Sequence, residues 1–211
     1  IAAGGTVMAK ACHVGHPEEL EALVDFTLEH FGGIDILVNN AATNPVYGKL
    51  SEASSEVFDK IMNVNVKACW TLANLCYPYM VKRGGGSVIN IASVEGLKPS
   101  SGLGLYSVSK AALIMLTKSQ AKEWGHKNIR SNAICPGYVM TPLVESQIPE
   151  TMEKYGMDRE TAISNVILTR QPSRQFATTD QLGGTALFLC SDHAEQITGT
   201  TISVDGGWTA I

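Results

Sequence analysis

A serine, a tyrosine and a lysine fall close together in SVEGLKPSSGLGLYSVSK, residues 93–110. Tyr106 stands thirteen positions after Ser93, and Lys110 four after that. At i and i+4, Tyr106 and Lys110 lie one above the other on the same face of a helix. A tyrosine hydroxyl ordinarily has a pKa of about 10, too high for an efficient base at neutral pH. An ammonium group a few ångströms away favours the phenolate and lowers that pKa. Ser93 follows a predicted strand, so it approaches the phenol from another element and can hydrogen-bond the same substrate oxygen. The three together suit proton transfer to or from an alcohol or carbonyl oxygen. Singly, each has a plainer explanation. Tyr-x-x-x-Lys recurs by chance on helices, and a serine after a strand is commonly a turn or capping residue.

The elements around them alternate between strand and helix. Residues 7–14 (VMAKACHV) read as a strand, and residues 17–31 open with proline and acids as an amphipathic helix stopped by Gly32-Gly33. Residues 34–38 are almost entirely apolar, the pattern of a parallel strand covered on both faces. Asn39-Asn40-Ala41-Ala42 follows at its carboxyl end. Residues 54–82 form a long helical stretch in two segments, with Asn63-Val64-Asn65 near the middle. Residues 87–92 are a strand, 107–125 a helix, and 129–135 a strand broken by Pro136-Gly137. Residues 141–175 are polar, with one helical pattern near 150–168, and are expected to form a substrate lid. A helix over 179–189 and a strand over 200–204 precede Asp205-Gly206-Gly207-Trp208. The pattern predicts α/β architecture: one domain, residues 1–211, with a doubly wound parallel sheet of Rossmann-like type. Ligands of such sheets bind outside the carboxyl ends of the strands. Asn39-Asn40, Ser93 and Pro136-Gly137 all follow strands, so they share that edge.

Composition narrows the functional classes. With 211 residues, 45% hydrophobic, and a net charge of −4, the chain suits one soluble domain with a large core. Its mild acidity and scattered basic residues give no sign of a nucleic-acid surface. No apolar run approaches membrane-spanning length, and IAAGGTVMAK does not read as a signal peptide. The cysteines (Cys12, Cys69, Cys76, Cys135 and Cys190) lack metal-type spacing and suit free thiols in a reducing compartment, the cytoplasm. No metal site is expected.

Asn39-Asn40-Ala41-Ala42, Asn65, Ser93, Tyr106-x-x-x-Lys110 and Pro136-Gly137 resemble, in order and approximate spacing, the motifs of the short-chain dehydrogenase/reductase family. The resemblance covers essentially the whole chain. It implies an enzyme moving a hydride between a nicotinamide cofactor and a substrate carbon. Tyr106 is similar to the family's general acid/base, and Lys110 to the lysine that lowers the tyrosine pKa and bonds the nicotinamide ribose. Ser93 would hold the substrate oxygen, and Asn65, at a helix distortion, would keep a water against the lysine. Asn39, Asn40, Ala41 and Ala42 would line the adenine–ribose side and steady the sheet. Pro136, Gly137 and Thr141 would hold the carboxamide, with Ile134 and Val139 against the ring. Long helices at 54–82 and 107–125 resemble those that pair between subunits of a homotetramer.

Two departures from the family pattern stand out. Its Gly-rich phosphate loop and first βαβ unit are absent, and the chain opens where a third strand is expected, so an amino-terminally truncated form is expected. His13 occupies a position that commonly carries an aspartate toward adenine. Within the family, Cys12-His13-Val14-Gly15 and the stretch from Asn40 to Pro45 resemble carbonyl and retinal reductases of the member 4 group, which use NADPH. From Asn132 onward the chain resembles bacterial D-3-hydroxybutyrate dehydrogenases, which use NAD. NADP(H) is therefore favoured and NAD(H) is the alternative. By the second resemblance, Gln147, Asn44, Glu95 and Leu103 would face the substrate, where that subfamily has glutamine, glutamine, histidine and lysine. Tyr138 and Trp208 would complete the pocket, although Trp208 could equally close the core. Glu95 would repel a carboxylate, so a neutral ketone, aldehyde or secondary alcohol is expected, with 3-hydroxybutyrate second. Two other readings are weaker. A non-catalytic relative would not need all of Ser93, Tyr106, Lys110 and Asn65, and an epimerase or dehydratase would ordinarily carry a larger carboxyl-terminal substrate domain.

Overall fold

The computed structural model describes residues 4–210, apart from the side chains of Leu143 and Gln147. Four strands form a parallel sheet in the order β1 (Ile36–Asn39), β2 (Gly86–Ile91), β3 (Ile129–Pro136) and β4 (Thr201–Val204). Side chains alternate across this sheet, and that alternation sorts the core. Val88 points to one face and packs with Leu37, with Leu20 and Val24 of α1 (Pro17–Phe31), and with Leu72, Cys76 and Met80 of α3 (Ala68–Arg83). Ile89 and Ile134 point to the other face and pack against Leu189 of α7 (Thr179–Cys190). Both faces therefore carry helices, as the doubly wound arrangement requires.

The long helical stretch divides as expected. Ser54 caps α2 (Ser55–Met62) by accepting from the Val57 N–H, and α3 ends at Gly84, whose φ of 89° is the left-handed conformation glycine adopts freely. Between them Asn63–Lys67 is a π turn. The next helix, α4 (Gly104–Trp124), starts three residues earlier than the sequence suggests and places Tyr106 in its first turn.

Other expectations are corrected. Residues 7–14 form no strand: Val7 and Met8 are exposed, and the stretch pairs with no strand among the described residues. Alternation supplies one face for burial, but a strand also needs a neighbouring backbone to bond. β1 is covered on one face only, since Ile36 and Val38 are half exposed while Leu37 and Asn39 are buried. The polar segment after β3 is helical from its start, as α5 (Pro142–Tyr155), because Thr141 caps it and Pro142 opens it. A short α6 (Arg159–Ala162) and a π turn, Ile163–Ile167, follow.

A buried polar chain crosses the middle of the sheet. Asn39 and Asn90 are register partners, and the Asn39 amide donates to Asn90 Oδ1 at 2.8 Å. The Asn90 amide donates to Thr117 Oγ1 at 2.9 Å and reaches Gln120 Oε1 at 3.4 Å. Ser131 extends the chain by donating to Gln120 Oε1 at 2.8 Å. Asn39 therefore ties β1 to β2 and, through Asn90, to α4. Asn90→Leu should cost about 2–4 kcal/mol by urea unfolding, because Asn39 loses its acceptor in a buried network. A change within about 0.5 kcal/mol would show the network carries no net stability.

Candidate active site

The carboxyl ends of β1, β2 and β3 open onto a cleft of about 920 Å³, lined among others by Ala42, Ser93, Tyr106, Gly137, Tyr138 and Trp208. Ser93, Tyr106 and Lys110 arrive from two elements. Ser93 stands two residues beyond the end of β2 and caps the short turn Val94–Gly96. Tyr106 and Lys110 come from the start of α4. Gly96 permits their close approach: a Cβ there would stand 2.7 Å from the Lys110 carbonyl carbon.

The Ser93 side chain lies beside the Tyr106 phenol, close enough to favour its ionised form. Lys110 is buried, and its ammonium donates to the Ile91 carbonyl at 2.8 Å while lying 5.6 Å from the centre of the Tyr106 ring. Burial pushes the Tyr106 pKa up, Ser93 pulls it part of the way back, and Tyr47, Glu95 and Cys135 push it further up. The expected lowering of Tyr106 by Lys110 is thus not what this arrangement gives: desolvation of the phenol dominates, and the one lowering influence comes from Ser93. Burial also takes Lys110 down to about 8, against the opposing influence of Cys69 and Cys135.

Asn65 lies in the π turn, which is the anticipated helix distortion. Its carboxamide is fully committed, accepting from Thr43 N at 2.7 Å and donating to Thr43 O at 2.9 Å and Ser109 Oγ at 3.0 Å. It clamps the loop after β1 to α4.

The remaining anticipated residues divide. Asn40, Ala41 and Ala42 are exposed at the end of β1, and Ala42 reaches the cleft. Leu103, Tyr138 and Trp208 line it, and Trp208 is also buried, facing Tyr138 at 5.5 Å, so it serves both cleft and core. Pro136 ends β3, and Val139 bridges Ala177. The Thr141 hydroxyl is occupied as the cap of α5, accepting from Val144 N. Ile134 is corrected: strand parity turns it into the core with Ile89 and Leu189, away from any cofactor. His13 does not line the cleft. It is exposed, stacked on His16 at 4.3 Å, and accepts from Gly15 N through Nδ1. The Gln147 side chain lies outside the described residues. Glu95 lines the cleft, but its carboxylate is taken by Ser100 and Ser107 and is not free to meet a substrate.

Gln171 was not anticipated. Fully buried, it accepts from Tyr138 N at 2.6 Å through Oε1 and donates to Gln175 O at 2.7 Å, fixing the turn after β3. Gly137 is required there, since a Cβ would fall 2.4 Å from Gln171 Oε1. A lone glutamine in a polar segment carries no sequence signal of this kind.

A nicotinamide group fits the cleft. Small Ala42 leaves its wall open and Tyr106 presents a hydroxyl to it, while the Lys110 ammonium lies buried behind Tyr106. Toward a pyrophosphate, Gly4 and Gly5 are exposed with open space around them, and the next helix begins only at Pro17. Among the described residues, no group of His, Cys, Asp or Glu could hold a metal ion, and no helix is long and apolar enough to cross a membrane. All five cysteines are free thiols, and burial lifts Cys69, Cys76 and Cys135 to about 11.

The family model described as enoyl-(acyl carrier protein) reductase matches residues 1–209. D-beta-hydroxybutyrate dehydrogenase of Rhizobium meliloti (strain 1021) is 41% identical over 206 residues, covering 98% of this chain and 80% of that protein. Dehydrogenase/reductase SDR family member 4 of Oryctolagus cuniculus is 42% identical over 206 residues, covering 98% of this chain and 75% of that protein. Each match runs nearly the full chain rather than one half. Among solved structures, L-sorbose reductase from Gluconobacter frateurii, complexed with NADPH and L-sorbose, superposes with a TM-score of 0.89 at 35% identity. That match covers 95% of this chain and 76% of the other.

Proposed function

Since the chain belongs to the short-chain dehydrogenase/reductase family, being an NAD(P)-dependent oxidoreductase that interconverts secondary alcohols and carbonyls, we propose that Tyr106, Ser93, Lys110 and Asn65 are its working residues. The observation that carries this reading is that Ser93 and Tyr106 meet on the wall of one cleft, the serine favouring the phenolate, with buried Lys110 one helical turn beyond. When bound, the nicotinamide supplies or accepts the hydride. Ser93 holds the substrate oxygen and Tyr106 gives its proton to that oxygen in reduction, or takes it in oxidation. Lys110 supplies positive charge beneath the phenol and a donor for the cofactor ribose. Asn65 keeps the Thr43 loop and α4 in register around them. A phenol beside a serine hydroxyl on one cleft wall serves proton transfer at oxygen, which favours a C=O substrate over the C=C that the family model's description suggests.

Asn39, Asn40, Ala41 and Ala42 are assigned to the ribose side, and Pro136, Gly137, Val139 and Thr141 to the carboxamide side. NADP(H) is favoured over NAD(H), supported by the NADPH complex of the sorbose reductase. A neutral carbonyl is the favoured substrate: Leu103 offers no cation, and the sorbose of that complex is itself neutral. A short hydroxy acid is the second reading, favoured by Lys154 on the cleft wall and by the engagement of Glu95 with Ser100 and Ser107. Exposed Phe58, Trp70, Val108 and Met115 on α2, α3 and α4 suit burial between copies in a homotetramer. Free thiols suit the cytoplasm.

The protein should oxidise NADPH, followed at 340 nm, faster with a neutral ketone than with acetoacetate. Faster turnover of acetoacetate with NADH would reverse both the cofactor and the substrate assignment. No turnover of any carbonyl would remove the reading.

A further inference from the structure

Glu95 is a buried carboxylate with no cation in direct contact among its described partners. Burying an ionised group costs several kcal/mol unless hydrogen bonds offset it. Here Oε2 accepts from Ser100 N at 2.7 Å and from Ser107 Oγ at 2.9 Å, and Oε1 accepts from Ser100 Oγ. Each bond leads somewhere useful. Ser107 adjoins Tyr106 in the first turn of α4. The Glu95 backbone N–H donates to Ser93 Oγ at 3.2 Å, so the same residue steadies the serine that lies beside the phenol. On the other side, Ser100 Oγ accepts from the Arg170 guanidinium, which comes from the end of the segment after β3 and sits 5.7 Å from the centre of the Trp208 ring.

The turn that carries Glu95 has little freedom of its own. Gly96 packs directly on the backbone of Lys110 and Ala111, so a displacement of the turn is felt by α4. An aliphatic residue at position 95 would bury more cheaply and link nothing. An arginine, a serine hydroxyl and a carboxylate in series join the far segment of the cleft to both proton-handling side chains.

We infer that Glu95 is a positioning residue that, through Ser100, couples Arg170 on the lid segment to Ser93 and Tyr106. The inference rests on Tyr106 and Ser93 being the reacting groups. When Arg170 is seated on Ser100, the turn and the first residues of α4 are held together. When it is not, Ser100 loses one anchor and Glu95 loses its link to the cation. Arg170 is exposed and does not line the cleft, so it bears on the cleft through Ser100 and through the Trp208 ring, and only the Ser100 route runs through Glu95.

The test is a double-mutant cycle on the protein with Arg170→Met and Glu95→Gln, alongside Arg170→Lys and Tyr106→Phe. The glutamine cannot match three donors: its NH2 must turn toward Ser100 or Ser107 and leave a donor unpaired. Each single variant should lose about tenfold in kcat/KM, and the double variant little more than either one, because both break the same series. Arg170→Lys, which keeps a donor for Ser100, should recover most of the loss. Glu95→Gln should also move the pH profile of the oxidation to lower pH, because one of the charges pushing Tyr106 up is removed. The other groups bearing on Tyr106 (Tyr47, Cys135, Lys110 and Ser93) stay in place. Losses that multiply to about a hundredfold in the double variant, or an unmoved pH profile, would overturn the coupling. Melting temperatures of the variants separate misfolding from lost positioning. If Tyr106→Phe kept full activity, the underlying assignment would fail instead, and the two failures are distinct.

Discussion

Replacing Tyr106 with phenylalanine is expected to lower kcat by about 10²–10⁴-fold, the contribution typical of a positioned acid or base. The ring should keep its place, since it is partly buried in the first turn of α4 and phenylalanine fills the same space. Only the hydroxyl beside Ser93 is lost, so stability should change by no more than about 1 kcal/mol. The wild-type pH dependence follows from the direction of the shift. Burial raises the phenol above its ordinary 10, so reduction, which needs the protonated form, holds through neutral pH and fails as pH rises through the raised value. Oxidation needs the phenolate and climbs across that same range. Stopped-flow rates in both directions check this. A phenylalanine variant retaining wild-type rates, or losing them only through unfolding, would remove Tyr106 from the chemistry.

The tyrosine, lysine and serine were legible because their spacing places them without knowledge of the fold. Tyr106 and Lys110 needed only a helix, and Ser93 only a strand before it. Asn65 was legible as a distortion, because Asn63-Val64-Asn65 interrupts a long helical pattern; that its amide would close on Thr43 was not. Residues 7–14 mislead because alternation marks a strand but does not supply a neighbouring one. Ile134 misleads for a related reason. Proximity to Pro136-Gly137 in sequence suggests the cleft, whereas the period of two in β3 sends it to the face covered by α7. Glu95 reads as a repulsive charge until Ser100 and Ser107 are seen to surround it, and Gln171 reads as nothing at all. In both, the role resides in partners that folding brings within about 3 Å of the side chain.

Lys110 gives the other large effect, with opposite signs for stability and activity. Its ammonium is nearly fully buried, and burial takes its pKa from an ordinary 10.5 to about 8, equivalent to about 3 kcal/mol against the charged folded state. Below pH 8 both folded and unfolded chains carry the proton, and this cost is paid in full. Between about 8 and 10.4 the unfolded chain holds the proton more firmly than the folded one, so the Lys110 contribution to stability rises with pH. Above that range the lysine is neutral in both states and the cost is gone. Cys69, Cys76 and Cys135, each lifted to about 11, act in the opposite sense above pH 9, so wild type alone would mask the effect. Lys110→Met keeps those thiols, and the difference between the two proteins isolates the lysine to first order. The methionine variant should gain stability at pH 7, less the bond to Ile91 O, and that advantage should shrink by about 3 kcal/mol as pH approaches 10.4. Urea unfolding at pH 7, 8, 9 and 10 measures it, and a pH-independent difference would mean that Lys110 is not buried as a cation. The same variant should lose about a hundredfold in kcat, because the positive charge beneath Tyr106 is then absent. A charge that weakens the fold where it sits persists only if turnover requires it there.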